Sequence, residues 1–264
     1  MTIDHLHPGF SDPEYRQRRD SIAAAARNWS PGQPTPEVVY TLEEDCLWSD
    51  IWHELAGLYP TRAVSAYQRA WADFGLMTHR VPQFSHINAR LQETGFALAP
   101  VEGLVDSRRF LSGLSEGEML CTQYIRHHSV PRYTPEPDII HEIFGHAVFF
   151  LDPSIRRLNK LFGQVARSCP DSSLESLERL YWYTIEFGLC MESGSVRAYG
   201  AGLLSSIDEL SNIDSIEHRP FDIEEIISTP YDTQSQHVKL FCAESFDQAV
   251  SQTAHYLEFI LSFQ

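Results

Sequence analysis

The residues best suited to chemistry lie in one stretch, Pro135-Glu-Pro-Asp-Ile-Ile-His141-Glu142-Ile-Phe-Gly145-His146. It resembles the HExxH motif of zinc proteases but misses by one residue. Position 145, where the second ligand should sit, is glycine, and the second histidine is at i+5. On an ideal helix, i and i+4 lie about 40° apart, whereas i and i+5 lie about 140° apart. His141 and His146 can therefore meet on one ion only with different rotamers or on a distorted helix, and Gly145 would ease such a distortion. A third ligand is offered by Glu186, the one carboxylate in Tyr181-Trp-Tyr-Thr-Ile-Glu186-Phe-Gly. A carboxylate in such apolar company is costly to bury unless it is paired or binds a metal. Two histidines and one carboxylate make the facial triad of non-haem Fe(II) oxygenases, which leaves the opposite face open for O₂. Zinc accepts the same three ligands, so a zinc-dependent hydrolase with Glu142 as base stays open at this point. So does plain packing of the histidine pair.

These residues need elements to hold them. Asp138 is a plausible N-cap for the His141 helix, behind an extended loop fixed by Pro131, Pro135 and Pro137. Glu186 sits near the end of a helix expected from Ser173 to Phe187 and stopped by Gly188. Upstream, Trp48, Ile51, Trp52 and Leu55 form one apolar helical face. Pro60 is expected to end that helix and Thr61 to cap the next. A third helix runs from about Phe84 to Glu93, and Ser107 is expected to cap a short one through Phe110. Short strands are expected at 96–101, 119–126 and 237–242, and a last helix from Glu244 to Phe263. With many helices, few strands and no βαβ alternation, the pattern predicts a mainly α (α+β) fold: one domain of packed helices with a few short strands. Residues 1–35 read as an N-terminal extension and linker, and 36–264 as the one main domain.

Composition narrows the partners. The 264 residues include 20 basic and 36 acidic side chains, a formal charge of −16. That opposes docking on nucleic acid or on an anionic membrane. The five cysteines are few, widely spaced and never in CxxC, so a reducing compartment is the expectation. The start, MTIDHLHPGF, lacks the basic and apolar regions of a signal peptide, and no apolar run could span a bilayer. A cytoplasmic protein is expected. Twelve histidines are many for such a chain.

Taken together, Pro135 to His146, Tyr181 to Cys190 and Ala198-Tyr-Gly-Ala-Gly-Leu-Leu-Ser-Ser206 resemble the tetrahydropterin-dependent aromatic amino acid hydroxylases. Cys121-Thr-Gln-Tyr-Ile-Arg126-His127 and Ala243-Glu-Ser-Phe246 are similar too, and the resemblance runs from about Tyr40 to Phe263. It implies that 36–264 is the catalytic domain, with Fe(II) bound by His141, His146 and Glu186, a tetrahydropterin as cofactor and O₂ as co-substrate. Phe110 matches the aromatic residue that stacks on the pterin, with Val105, Ser107, Glu142 and Tyr181 around it. Arg126 matches the residue that pairs with the amino acid carboxylate, a task suited to a guanidinium fork. Thr134 and Ser205 match its hydrogen-bonding helpers. Pro137, Trp182, Phe187 and Gly202 match the box around the substrate ring, and Thr233 a loop residue beside it.

The resemblance also bears on the substrate. Trp182 is similar to the phenylalanine and tyrosine hydroxylases, whereas the tryptophan enzymes tend to have phenylalanine there. Thr233 matches neither the apolar residue of animal phenylalanine hydroxylases nor the aspartate of tyrosine hydroxylases, and Glu178 stands where the family usually has a small residue. L-Phenylalanine 4-hydroxylation is the leading expectation; phenylalanine 3-hydroxylation, tyrosine 3-hydroxylation and tryptophan hydroxylation are the alternatives. On the resemblance, these 264 residues are expected to hold neither the regulatory domain nor the tetramerisation tail of the animal enzymes. This chain is accordingly expected to be a monomer or loose dimer in solution, and a stable tetramer in light scattering would contradict that.

Overall fold

The structure, a computed structural model, describes residues 7–132, 134, 136–232 and 237–263. Helices dominate. A short turn of helix, α1 (Pro8–Ser11), leads into α2 (Pro13–Arg27), started by the Asp12 side chain on the Glu14 and Tyr15 N–H groups. Then come α3 (Leu42–Arg62), α4 (Ser65–Phe74) and α5 (Phe84–Leu91). The start of α3 is a capping box, Thr41 with Glu44. Trp48, Ile51 and Leu55 on α3 are fully buried, as their spacing predicts, and Trp52 is partly buried against Trp71.

Pro60 does not end α3. The helix keeps its last turn to Arg62 because that turn is anchored from outside. The Tyr59 hydroxyl donates to Leu204 O (2.8 Å) and the Val64 N–H to Ala198 O (3.0 Å). Thr61 caps nothing, and α4 starts after Val64 with no side-chain cap. Likewise Asp106, not Ser107, caps α6 (Ser107–Ser115), which runs a turn beyond Phe110.

Helix α6 lies between β1 (Ala97–Pro100) and β2 (Glu118–Cys121), which pair in parallel. This is a single β-α-β crossover, which the sequence reading did not anticipate. The strands at 96–101 and 119–126 and the helix between them are expected from the sequence, but not that the two strands pair, because four residues each carry no pattern that marks them as partners. Helix α7 (Pro153–Ser168) crosses α6, and Gly163 sits at the contact. A Cβ there would meet Ser115 N at 2.2 Å.

The chain continues through α8 (Asp171–Tyr181), the hairpin β3 (Leu189–Glu192) and β4 (Ser195–Ala198), α9 (Ala201–Leu204) and α10 (Ile207–Ser211). It ends with β5 (Glu217–Pro220), α11 (Ile223–Ser228), β6 (Lys239–Ala243) and α12 (Phe246–Leu261). The second sheet has the order β4-β3-β6-β5, with β6 parallel to both neighbours. One apolar core runs through these elements from Trp48 to Leu257. Among the described residues, no helix is long and apolar enough to cross a membrane.

The N-terminal extension is attached to the body. Ile22 packs with Val38 and Tyr124, the Tyr15 hydroxyl donates to Ile125 O (2.8 Å), and Arg19 pairs with Glu136 while lying over the Tyr124 ring. It thus backs the segment that carries Arg126. For the α6–α7 contact we expect Gly163→Ala to force the helices apart. It should cost about 1–3 kcal/mol of stability, read from urea unfolding.

Candidate active site

The His141 element is not an ordinary α-helix. After Ile139 and Ile140 the chain widens into a π-helical segment, His141–Ala147, in which the Val148 N–H reaches back five residues to Ile143 O. An i→i+5 turn brings residues i and i+5 onto one face. This distortion is what the five-residue spacing requires, and it turns His141 and His146 together. Glu186 lies on a second π-helical segment, Trp182–Glu186, closed by Phe187 N–H on Trp182 O (2.8 Å).

Both segments fit into tight surroundings. A Cβ on Gly145 would lie 2.7 Å from Ala201 O, and one on Gly202 would lie 2.4 Å from the Phe187 ring. The Phe144 carbonyl, which a widened turn leaves available, accepts from the buried Tyr67 hydroxyl (2.6 Å).

The three side chains converge. His141 Nε2 and His146 Nε2 are 3.0 Å apart, His146 Nε2 and Glu186 Oε1 3.2 Å, and His141 Nε2 and Glu186 Oε2 3.5 Å. Ligand atoms about 2.0–2.1 Å from one ion and about a right angle apart would stand about 3 Å from one another. The donor set therefore fits a metal ion. It is the group of three metal-binding side chains found among the described residues.

The electrostatics of His141 and Glu186 agree with this. Burial drives the His141 pKa down to about 4, so its imidazole is neutral at neutral pH and free to ligate. Burial also disfavours charge on His146, but the Glu186 carboxylate overrides it and raises the pKa. Burial would raise the Glu186 pKa, yet His146 holds it down, so the carboxylate stays charged.

The tautomer of His141 is set from behind. Ser205 Oγ donates to Ala201 O (2.8 Å), so it accepts from His141 Nδ1–H (3.0 Å) and leaves Nε2 unprotonated. Ser205, expected to help hold a carboxylate, is thus engaged with the histidine. Glu142 points elsewhere. It accepts from the Thr122 N–H (3.0 Å), and burial raises its pKa to about 7.

One cavity of about 460 Å³ opens on the three ligands. Phe110, Val105, Ser107, Glu142 and Tyr181 line it, as do Arg126, Thr134, Pro137, Trp182, Phe187, Gly202 and Ser205. Thr233 lies outside the described residues. Phe110 meets Tyr181 edge-on at 5.9 Å, and Tyr181 is braced by Phe162 and by Asn159, to which its hydroxyl donates.

Arg126 is 2% exposed and clamped by Asp138 through two bonds, Nε to Oδ2 (2.9 Å) and Nη2 to Oδ1 (2.8 Å). Its Nη1 makes only longer bonds, to Pro131 O (3.2 Å) and Ser205 O (3.4 Å). Sequence reasoning saw Asp138 only as a helix cap. It missed Glu209 and His237, which also line the cavity and bond to each other (2.9 Å). The large number of histidines was the one available signal for His237. His127, beside Arg126, is buried and bonded to Ser129 and Asp12.

Fold and site together define a helical protein with a two-histidine, one-carboxylate metal centre inside a small-molecule cavity. The chain belongs to the biopterin-dependent aromatic amino acid hydroxylase family, whose profile matches residues 1–262. It is 42% identical to rat (Rattus norvegicus) phenylalanine-4-hydroxylase over 254 residues, covering 94% of this chain and 56% of that protein. It is 41% identical to bovine (Bos taurus) tyrosine 3-monooxygenase over 261 residues, covering 96% of this chain and 53% of that one. The chain thus spans about half the length of these curated relatives. A crystal structure of Chromobacterium violaceum phenylalanine hydroxylase with iron(III) and 7,8-dihydrobiopterin superposes with a TM-score of 0.81 at 27% identity, over 95% of this chain and 93% of that one.

Because the Ser205 hydroxyl sets the His141 tautomer, Ser205→Ala should weaken metal binding about 10–100-fold, measured by titration with Fe(II) or Co(II).

Proposed function

We propose that this chain is an iron- and tetrahydropterin-dependent monooxygenase that hydroxylates the ring of a free aromatic L-amino acid, and that the amino acid is L-phenylalanine, giving L-tyrosine. The observation that carries the reading is the convergence of His141, His146 and Glu186 on the wall of a cavity that also holds a buried guanidinium. A hydrolase would need the metal and a base, but has no use for Phe110, Trp182 and Phe187 arrayed around the same space.

When bound, iron and a tetrahydropterin would activate O₂, the pterin giving two electrons and O₂ the oxygen atom that enters the ring. Everything else falls to the chain. His141, His146 and Glu186 hold the metal from one side, and the anionic carboxylate favours its higher oxidation states. Phe110, with Tyr181 behind it, offers a flat apolar face for the pterin, and Val105 and Ser107 line the same part of the cavity. Arg126 Nη1 offers its N–H groups to the amino acid carboxylate, with Thr134 on the same wall. Pro137, Trp182, Phe187 and Gly202 enclose the ring and keep water from it.

Phenylalanine is favoured over tyrosine by the apolar character of that box, and by the bacterial phenylalanine hydroxylases among the structural neighbours. The test is incubation with Fe(II), tetrahydropterin, O₂ and each of phenylalanine, tyrosine and tryptophan, with the mass and ring position of the product determined. Tyrosine from phenylalanine is expected, and no product from any of the three would sink the reading. His141→Ala should abolish iron binding and hydroxylation together. Normal turnover with stoichiometric iron in that variant would show the ligand assignment to be wrong.

A further inference from the structure

Trp182 forms one wall of the ring box, and its indole N–H is its only polar group. That N–H donates to His237 Nε2 (3.1 Å). An indole N–H can only donate, so Nε2 carries no proton. The imidazole proton is therefore on Nδ1, where it is given to Glu209 Oε1 (2.9 Å). The His237 backbone N–H donates to the same oxygen (3.2 Å). The His237 and Glu209 side chains are 9% and 6% exposed. The imidazole also lies against Phe187, with ring centroids 4.0 Å apart. The far face of Trp182 stacks on Tyr231 at 4.5 Å.

Resting on the oxygenase reading above, we propose that His237, held by Glu209, is the positioning residue of the ring box. It fixes the plane of the Trp182 indole and occupies its N–H, and so makes the box reject a ring that already bears a hydroxyl. The box walls are Trp182, Phe187, Pro137 and Gly202, and the one donor among their side chains is already committed. A phenol oxygen entering there loses water and gains no partner from the side chains of those four walls. A buried hydroxyl left unpaired weakens binding about ten- to a hundredfold. The substrate class is accordingly an aromatic amino acid with an unsubstituted ring. The filter is a histidine–carboxylate pair whose members lie 28 positions apart.

The test compares binding of L-phenylalanine and L-tyrosine to the Fe(II)-loaded protein by calorimetry, together with hydroxylated product formed per tetrahydropterin oxidised. The wild type is expected to prefer phenylalanine at least tenfold. His237→Leu frees the indole N–H and lets the ring tilt, so the preference narrows at least tenfold and less product forms per pterin, with iron content unchanged. His237→Gln, which can accept from Trp182 and donate to Glu209, restores most of the preference. If His237→Leu leaves Glu209 unpaired and does not fold, the double variant Glu209→Leu/His237→Leu removes that acid and must show the same narrowing. Unmoved preference and yield in the leucine variants overturn the role of His237, as does a glutamine variant as indiscriminate as leucine. Those results leave the oxygenase reading standing if the wild type makes tyrosine. A wild type that hydroxylates no aromatic amino acid overturns that reading instead.

Discussion

The Asp138 carboxylate is wholly buried and accepts from four donors: the Arg126 N–H, Nε and Nη2, and the His141 N–H. An isolated charge in that position would cost many kcal/mol, and so would an isolated guanidinium. The two are tolerable only together, with their remaining hydrogen-bonding capacity satisfied. That pairing joins the end of the β2 segment to the first turn of the His141 helix. It therefore sets the distance between the cation that faces the cavity and the metal ligands. Pro137 immediately precedes Asp138 and lines the cavity, and Thr122 bonds both to Pro137 O (3.0 Å) and to Glu142. The loop, the guanidinium and the ligand helix move as one piece because one carboxylate is shared among them.

The metal ligands add a second constraint. Two widened helical turns face each other, and each leaves backbone groups out of the regular ladder. Such turns are rare and persist only where tertiary structure supplies the missing partners. Here Tyr67 serves Phe144 O from another helix, while Thr184 Oγ1 donates to Leu180 O (2.5 Å) from within its own segment. The glycines at 145, 188 and 202 let the two turns and α9 approach to distances that any side chain would block. The ligands are thus held in place by the packing around them as well as by their contacts with one another.

Much of this was legible in the sequence. The apolar face of α3 and the stop at Gly188 follow from spacing and residue type, whereas spacing left the convergence of His141, His146 and Glu186 as one reading among several, and the family resemblance singled it out. What misled was local punctuation read without tertiary context. Pro60 lies inside α3 because Tyr59 and Val64 are tied to the chain near 198–204. The strands of the β1–α6–β2 unit were expected, but their parallel pairing escaped notice because nothing in four-residue strands marks which partner they take. The π-helical turns could be inferred only as a need of the five-residue spacing, since no propensity marks them. Glu209 and His237 were invisible for another reason: neither belongs to a local motif, and their pairing exists only after α10 and the segment before β6 have packed.

The remaining question is how so acidic a cavity could receive an anionic carboxylate on the proposed reading. Glu136, Glu142, Glu178, Glu209 and Asp232 line it besides the ligand Glu186, against one arginine. Net charge is the wrong measure here, because the acids nearest the ring and the guanidinium are committed locally. Glu136 is paired with Arg19, and Glu209 is held as acceptor of the His237 Nδ1–H. Burial raises the pKa of Glu142 to about 7, which weakens its charge near neutrality. Asp138 likewise offsets most of the charge on Arg126, so long-range attraction is small. What is left is directional. Nη1 is the end of the guanidinium that Asp138 does not hold, and its bonds of 3.2 and 3.4 Å to carbonyls are long for N–H···O contacts. A carboxylate accepts more strongly than a carbonyl and exchanges for such bonds at a gain. Recognition then depends on the angle at which Arg126 is held rather than on its charge, and that angle is fixed by Asp138.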